Sequence, residues 1–321
     1  MLTSNVTHVQ ATEFVLRCFS VELSRWRGLV SASLLALFLV ATSGNLTLLL
    51  VIRMEQRLHE PMYYLLSMLS MLDLTAAFCF VPQVLGNIWF DSKTISAPLC
   101  FTQLYFILIF NGFQSGLLMV MAYDRYVAIC RPLQYPLIMN NTFLLKTAVF
   151  VVGRSTILCV PVIVSLSQLN YCASNVIDRC YCENVPLANI ACNSKPANGI
   201  YVIFLLCFIL ILDMGLITFS YFMILRVVLQ LRSQEATTKA FSTCVSHLLV
   251  ITFLYSSQVA LLIANRLGKQ LSPDFHSLLA ILYCLLPQVL NPLVYGLRTK
   301  EIRERAVAIF RNVKVNTIIV N

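Results

Sequence analysis

Seven stretches of this chain run for twenty or more mostly apolar residues, and a helix of about 20 such residues crosses the roughly 30 Å of hydrocarbon in a bilayer. They extend approximately from Leu29 to Ile52, Met62 to Trp89, Phe101 to Ala122, Leu144 to Leu166, Gly199 to Leu225, Ala240 to Ala264 and Phe275 to Leu297. In lipid every backbone amide must find its partner inside the protein, which leaves only helices and closed barrels. A barrel would alternate polarity in strands of about ten residues, and these runs are continuous. The expected fold is therefore an all-α membrane protein, a seven-transmembrane helix bundle. Composition agrees, because 59% hydrophobic and 12% charged residues, with a mean hydropathy of +0.80, lie outside the usual makeup of soluble domains. The organisation read from the runs is an outer segment over 1–28, a seven-span domain over 29–297 and a cytoplasmic tail over 298–321.

Met1 to Gln10 is largely polar and lacks the basic start, apolar core and small-residue cleavage site of a signal peptide, so the first span is expected to insert itself. An odd number of spans puts the termini on opposite sides. Asn5-Val6-Thr7 is a glycosylation acceptor, which works only on the luminal side, although Asn140-Asn141-Thr142 is a second copy that this topology leaves in the cytosol. Of 23 Lys and Arg, about 14 fall in segments then cytoplasmic and about 8 outside, as the positive-inside bias requires. Arg25 and Arg27 run against that bias. The net charge of +9 reads as attraction to membrane lipids of the inner leaflet, not to nucleic acid, since no soluble basic domain remains. After Tyr295, Ile302, Ala306, Ile309, Phe310 and Val313 recur at helical spacing among Arg298, Lys300, Arg303, Arg305 and Arg311. That pattern predicts an amphipathic helix on the inner leaflet.

Of twelve cysteines, Cys18, Cys100, Cys172, Cys180, Cys182 and Cys192 fall in the segments assigned outside, four of them in the loop after the fourth span. The oxidising side favours disulfides there, and the loop holds no His to support zinc. Cys79, Cys159, Cys207 and Cys284 sit within spans as small packing residues. Asp73 and Asp213 fall near mid-membrane, where an ionised carboxylate costs several kcal/mol unless paired, hydrated or protonated. Arg154 stands roughly 12 Å above the inner boundary, counting about 1.5 Å per residue from Lys146. It can snorkel downward or reach Asp213 on the fifth span, and the sequence leaves both open.

No recognisable nucleophile, base and orienting group and no phosphate-binding Gly loop is present, so an enzyme is not expected. A transporter would show interrupted half-helices and an internal repeat. A channel would need a pore ring supplied by oligomerisation.

Asp124-Arg125-Tyr126 closes the third span inside the string Met119-Val-Met-Ala-Tyr-Asp-Arg-Tyr-Val-Ala-Ile-Cys130. Asn291-Pro292 with Tyr295 closes the seventh, Gly44-Asn45 lies in the first and Asp73 in the second. Together these resemble the rhodopsin-like (class A) G-protein-coupled receptors. Pro61-Met62-Tyr63-Tyr64, the extended string ending at Cys130, and Lys239-Ala-Phe-Ser-Thr-Cys-Val-Ser-His247 narrow the resemblance to odorant receptors, over about Glu13 to Arg305. Glu60, the run from Tyr295 to Arg303, Arg154 before Pro161, and Asn265-Arg266-Leu267-Gly268 resemble the class I, or fish-like, branch. Leu254-Tyr255-Ser256 departs from the usual Phe-Tyr-Gly at the pocket floor. Cys180 stands where an aromatic or Ser is common, and Met71-Leu72 where Ala or Val is frequent.

The resemblance implies a small-molecule odorant as ligand, a heterotrimeric G protein of the stimulatory olfactory type as partner, cyclic AMP as output and the plasma membrane as location. A non-olfactory class A receptor is the nearest alternative. It implies a ligand pocket in the outer half of the bundle with Ile107, Leu108, Asn111 and Gly112 facing Tyr255, Gln258, Val259 and Leu262. Arg266 at its mouth would present a planar fork to a carboxylic acid. It implies a switch in which Arg125 of Asp124-Arg125-Tyr126 holds the third span to the inner end of the sixth, with His247, Asn291, Pro292 and Tyr295 near it; His247 reads equally as a satisfied core histidine. It implies disulfides Cys100–Cys182 and Cys172–Cys192, leaving Cys180 free or bridged to Cys18. Last, it implies a sodium or water site at Asp73, Asn45 and Asn291, against which a neutral, hydrogen-bonded Asp is the plainer reading.

Overall fold

A computed structural model describes residues 12–20, 23–171, 174–193, 196–230, 234–267, 270–298 and 301–308. Among them are seven helices long and apolar enough to cross a membrane. The spans are Arg27–Met54, Pro61–Phe90, Ala97–Cys130, Asn141–Ser167, Pro196–Val228, Gln234–Leu267 and Pro273–Arg298. Each brackets its apolar run and most overshoot it, because helical hydrogen bonding continues where the hydrocarbon stops. The third span overshoots most at its inner end, where Asp124 to Cys130 extend the helix beyond Ala122.

The third span is central and packs on the second, fourth, fifth and sixth; the first leans on the second and seventh, and the sixth on the seventh. Lipid tails are as apolar as Leu, so helices associate through close packing and not through the hydrophobic effect. Gly44 shows the requirement: a Cβ there would come within 2.8 Å of Pro292 on the seventh span. The outward faces carry side chains such as Ile157 and Ile211, 71% and 75% exposed, as suits a lipid-covered surface.

A small sheet caps the end that carries the disulfides, which marks it as the oxidising, outer end. Strand β1 (Glu13–Leu16) lies between β2 (Thr94–Ser96), antiparallel to it, and β3 (Val176–Ile177), parallel to it. Phe14 and Leu16 are fully buried in it, in a cluster with Ile95, Leu166, Tyr171 and Ile177. Disulfides Cys18–Cys180 and Cys100–Cys182 fasten this cap to the loop after the fourth span and to the third span. The choice left open for Cys180 is thus a bridge to the N-terminal segment. Cys192 is also disulfide-bonded, whereas Cys172 and Asn5 lie outside the described residues.

At the inner end residues 301–308 are helical. Ile302 is buried in the inner core with Ala306 packed against it, and Arg305 pairs with Glu55. The apolar face of this helix, expected on the leaflet, is turned onto the bundle as far as it is described. Ile309, Phe310 and Val313 lie outside the described residues.

Candidate functional site

At the inner end of the third span, Asp124 is fully buried and accepts three hydrogen bonds. Arg125 donates from Nε at 2.9 Å and from Nη2, and Tyr135 from its hydroxyl at 2.8 Å. Arg125 therefore folds back on its own neighbour. Among the described residues it makes no hydrogen bond to the sixth span. Its charge nevertheless lies close to Cys244 and His247 of the sixth span and to Tyr221 of the fifth. His247 is 0% exposed and stacks edge-on to Tyr295, centroids 5.6 Å apart. Among the described residues, both its ring nitrogens, the Tyr295 hydroxyl and the Tyr221 hydroxyl have no hydrogen-bond partner within the protein. Tyr126 faces Arg131, whose guanidinium carbon sits 6.0 Å from the ring centroid.

Midway along the bundle Asp73 accepts from Asn291 Nδ2 at 2.7 Å and from Gln114 Nε2 at 3.4 Å. Asn45 turns its amide instead to the carbonyls of Ala41 and Gln288, both at 2.9 Å. Asn45 Oδ1, Ser70 Oγ, Gln288 Oε1 and Asn291 Oδ1 are buried without partners. A void of about 20 Å³ adjoins Asp73, Asn111, Gln114 and Gln288. Gln114 was not anticipated; its place about three turns before Arg125 on a mostly apolar third span was the available signal.

A second polar chain ties four helices together. Arg154 of the fourth span donates to both oxygens of Asp213 on the fifth, Ser115 of the third also donates to Asp213, and the Ser115 and Tyr255 hydroxyls lie 2.8 Å apart. Tyr255 belongs to the sixth span. A buried charge is tolerable only when paired and hydrogen-bonded, and this chain does both.

The nine residues expected to line the ligand pocket have differing surroundings. Ile107 and Asn111 border the small void beside Asp73. Leu108 packs under the cap. Gly112 faces the fourth span, where a Cβ would meet Ser155 Oγ at 2.9 Å. Tyr255 and Val259 instead border a cleft of about 870 Å³ between the fifth and sixth spans. Its wall includes Phe222, Leu225, Leu248 and Ile263, all substantially exposed, so it opens to lipid. Gln258 hydrogen-bonds Tyr283 of the seventh span. Leu262 is half-buried and Arg266 exposed.

The cap reaches into the bundle through residues that sequence reasoning missed. Tyr181 is 2% exposed and donates to the Ala280 carbonyl at 3.1 Å, while Gln103 accepts from the Cys182 amide at 3.1 Å. Glu183 is buried beside Arg179 at 3.5 Å. Burial pushes its carboxyl up to about 7 against the opposing pull of that guanidinium. These residues flank cysteines, which was the only hint of their position.

Comparison with known proteins matches the arrangement to one family. The model of the family described as "Olfactory receptor" matches residues 34–313. Human Olfactory receptor 56A4 is 42% identical over 94% of this chain and 96% of its own length. Human Olfactory receptor 52K1 is 38% identical over 97% and 99%, and mouse Olfactory receptor 56B34 is 40% identical over 94% and 93%. With seven membrane-crossing helices, the Asp124-Arg125-Tyr126 motif and a disulfide-tied outer cap, the chain belongs to the olfactory receptor family, multi-pass class A G-protein-coupled receptors of the plasma membrane that are not enzymes.

Proposed function

We propose that this receptor binds a small odorant in the outer half of the bundle and promotes nucleotide exchange on a stimulatory, olfactory-type G protein, raising cyclic AMP. The observation that carries the reading is the cluster around Arg125. Tyr221, His247 and Tyr295 come from three different spans, and all keep buried polar atoms unpartnered. Each such atom costs about 1–3 kcal/mol. A second arrangement of the inner helix ends that supplies partners, through water or through the G protein, is therefore within reach of a modest ligand bias. The ligand can favour that arrangement only by as much as it binds it better. Ile107, Leu108, Asn111, Gly112, Tyr255, Gln258, Val259 and Leu262 are the proposed contacts. Arg266 at the mouth favours a carboxylic acid.

The test is a panel of acids, amines and neutral odorants read by cyclic AMP, in cells with and without the stimulatory G protein. A ligand-evoked response that survives G-protein removal would point to a channel and sink the reading.

The same reading includes a sodium ion near Asp73. The unpartnered oxygens of Asn45, Ser70, Gln288 and Asn291 join one carboxylate in a set of hard oxygen donors, which suits such a cation. Asp73, Asn45 and Asn291 would hold it, and it would supply positive charge that favours the resting packing. Sodium should lower agonist affinity in the wild type and not in Asp73→Asn; equal sensitivity in both removes the ion from the scheme.

A further inference from the structure

The outer end holds another cavity, of about 420 Å³, between the N-terminal strand, the tops of the first two spans and the cap. Its wall sets apolar Val15, Phe19 and Ile88 beside three cations, Arg17, Arg27 and Lys93, and no carboxylate lines it. Two carboxylates touch these cations from outside the wall. Asp178 takes only Nε of Arg17, at 2.5 Å, and Asp91 takes Lys93 Nζ at 2.7 Å. Both Nη groups of Arg17 stay open among the described residues, and Arg27 makes no ion pair there. Asp274 also stands beside the wall, accepting from the Ser20 amide and hydroxyl, so nearby carboxylates match the cations in number, and what faces the hollow is the open donor set of Arg17 Nη and Arg27. Asp91 registers the nearby cations: its carboxyl is held below the usual range, first by the Lys93 hydrogen bond and further by the Lys93 and Arg27 charges.

The hollow is also preformed. Cys18 on its wall is bridged to Cys180. The Leu16 amide donates to the Lys93 carbonyl at 2.7 Å, and Asn87 Nδ2 donates to the Leu16 carbonyl at 2.9 Å. A ligand entering it has little chain left to order. None of its lining residues is among those proposed for the odorant pocket.

We propose that this cavity is a second ligand site, taking a small organic monocarboxylate whose head meets Arg27 with Arg17 and Lys93 alongside, and whose short apolar tail lies on Val15, Phe19 and Ile88. It goes beyond the odorant site and does not depend on it. Any effect of its occupant on odorant affinity must be matched by an equal effect in return.

The probe is carboxyl-labelled hexanoate, titrated by NMR against the full chain in lipid nanodiscs. Arg27→Gln combined with Lys93→Gln should weaken hexanoate roughly tenfold, and added salt should weaken it in the wild type. Acetate, with the head and no tail, should bind more weakly, and hexanol, with the tail and no head, should not compete. Arg266→Ala should leave this binding unchanged. A second measurement uses the native sequence: reductive methylation with labelled formaldehyde gives Lys93 a resonance, assigned by its loss in Lys93→Arg, that hexanoate should shift. Hexanoate binding indifferent to the paired substitution, or lost with Arg266→Ala, overturns the site. So does a Lys93 resonance unmoved at saturation. Acetate binding as well as hexanoate overturns the apolar half of the proposal and leaves a plain anion pocket.

Discussion

Arg154 on the fourth span donates to both carboxylate oxygens of Asp213 on the fifth, at 2.5 and 3.0 Å, with side chains only 10% and 0% exposed. Neither charge would be tolerated there alone. Removing one partner of a buried pair costs roughly 3–5 kcal/mol, whereas removing both is often close to neutral. Arg154→Met should therefore lower surface delivery and thermal stability sharply, and Arg154→Met with Asp213→Leu should recover much of the loss. Cell-surface labelling and thermal unfolding in detergent measure both. A double variant no better than the single one would show that the pair is not what makes these charges acceptable.

That pair also shows where sequence reading stops. Hydropathy places every span, within a few residues at most ends and eight short at the inner end of the third, because crossing lipid is a property of one segment. Whether Arg154 snorkels or meets Asp213 depends on how two helices turn toward each other, which a single segment does not encode. The cap is the stronger case. Its strands hold four, three and two residues, too few for an alternating pattern to register, and they pair positions from 79 to 161 apart in the chain. The Cys18–Cys180 bridge follows from that sheet and could be weighed but not decided from cysteine spacing. Motif strings did single out the residues that meet at the inner helix ends, Asp124, Arg125, His247 and Tyr295. They did not say that Arg125 would fold onto Asp124, since rotamer choice depends on Tyr135 arriving from the next loop.

Arg125→Ala tests the switch directly. Asp124 keeps its bond from Tyr135, so the helix end retains one of its ties and the protein should still reach the surface and bind odorant. Odorant-evoked nucleotide exchange should fall to background, because the only cation near Tyr221, His247 and Tyr295 among the described residues is gone. Radioligand binding beside a nucleotide-exchange assay separates these outcomes, and normal exchange in the variant ends the argument.

Glu183 gives the cap a pH dependence whose sign is set by burial. Around it stand Arg179, Tyr181, Tyr283 and Cys284. The unfolded chain loses this proton near 4.5 and the folded chain near 7. Between those values the folded state holds the extra proton, so stability falls as pH rises through that window and acidification restores it. Thermal unfolding in nanodiscs should show a higher midpoint at pH 6 than at pH 8. Glu183→Gln, which is neutral throughout, should flatten the difference. An equal slope in the variant assigns the effect to other groups.

Arg266 carries the expectation of an acidic odorant, and its position sets how large the effect can be. It occupies the last turn of the sixth span, where a cation is already favoured by the helix dipole, and its side chain is exposed. A carboxylate paired with it in water gains about 0.2–1 kcal/mol, because solvent and salt screen the charges. Arg266→Ala should then weaken an acid agonist by no more than about fivefold, and a neutral agonist hardly at all. Arg266→Lys keeps the charge without the planar fork and should restore an acid in part. The measurement is a concentration-response series for a matched acid and alcohol in all three receptors. A loss of tens of fold for the acid would mean that the bound receptor covers Arg266 and dries the contact, where charged hydrogen bonds contribute about 1.5–3 kcal/mol. Indifference of the acid would leave Arg266 as a solvated helix-end cation and return the choice of ligand class to the rest of the pocket.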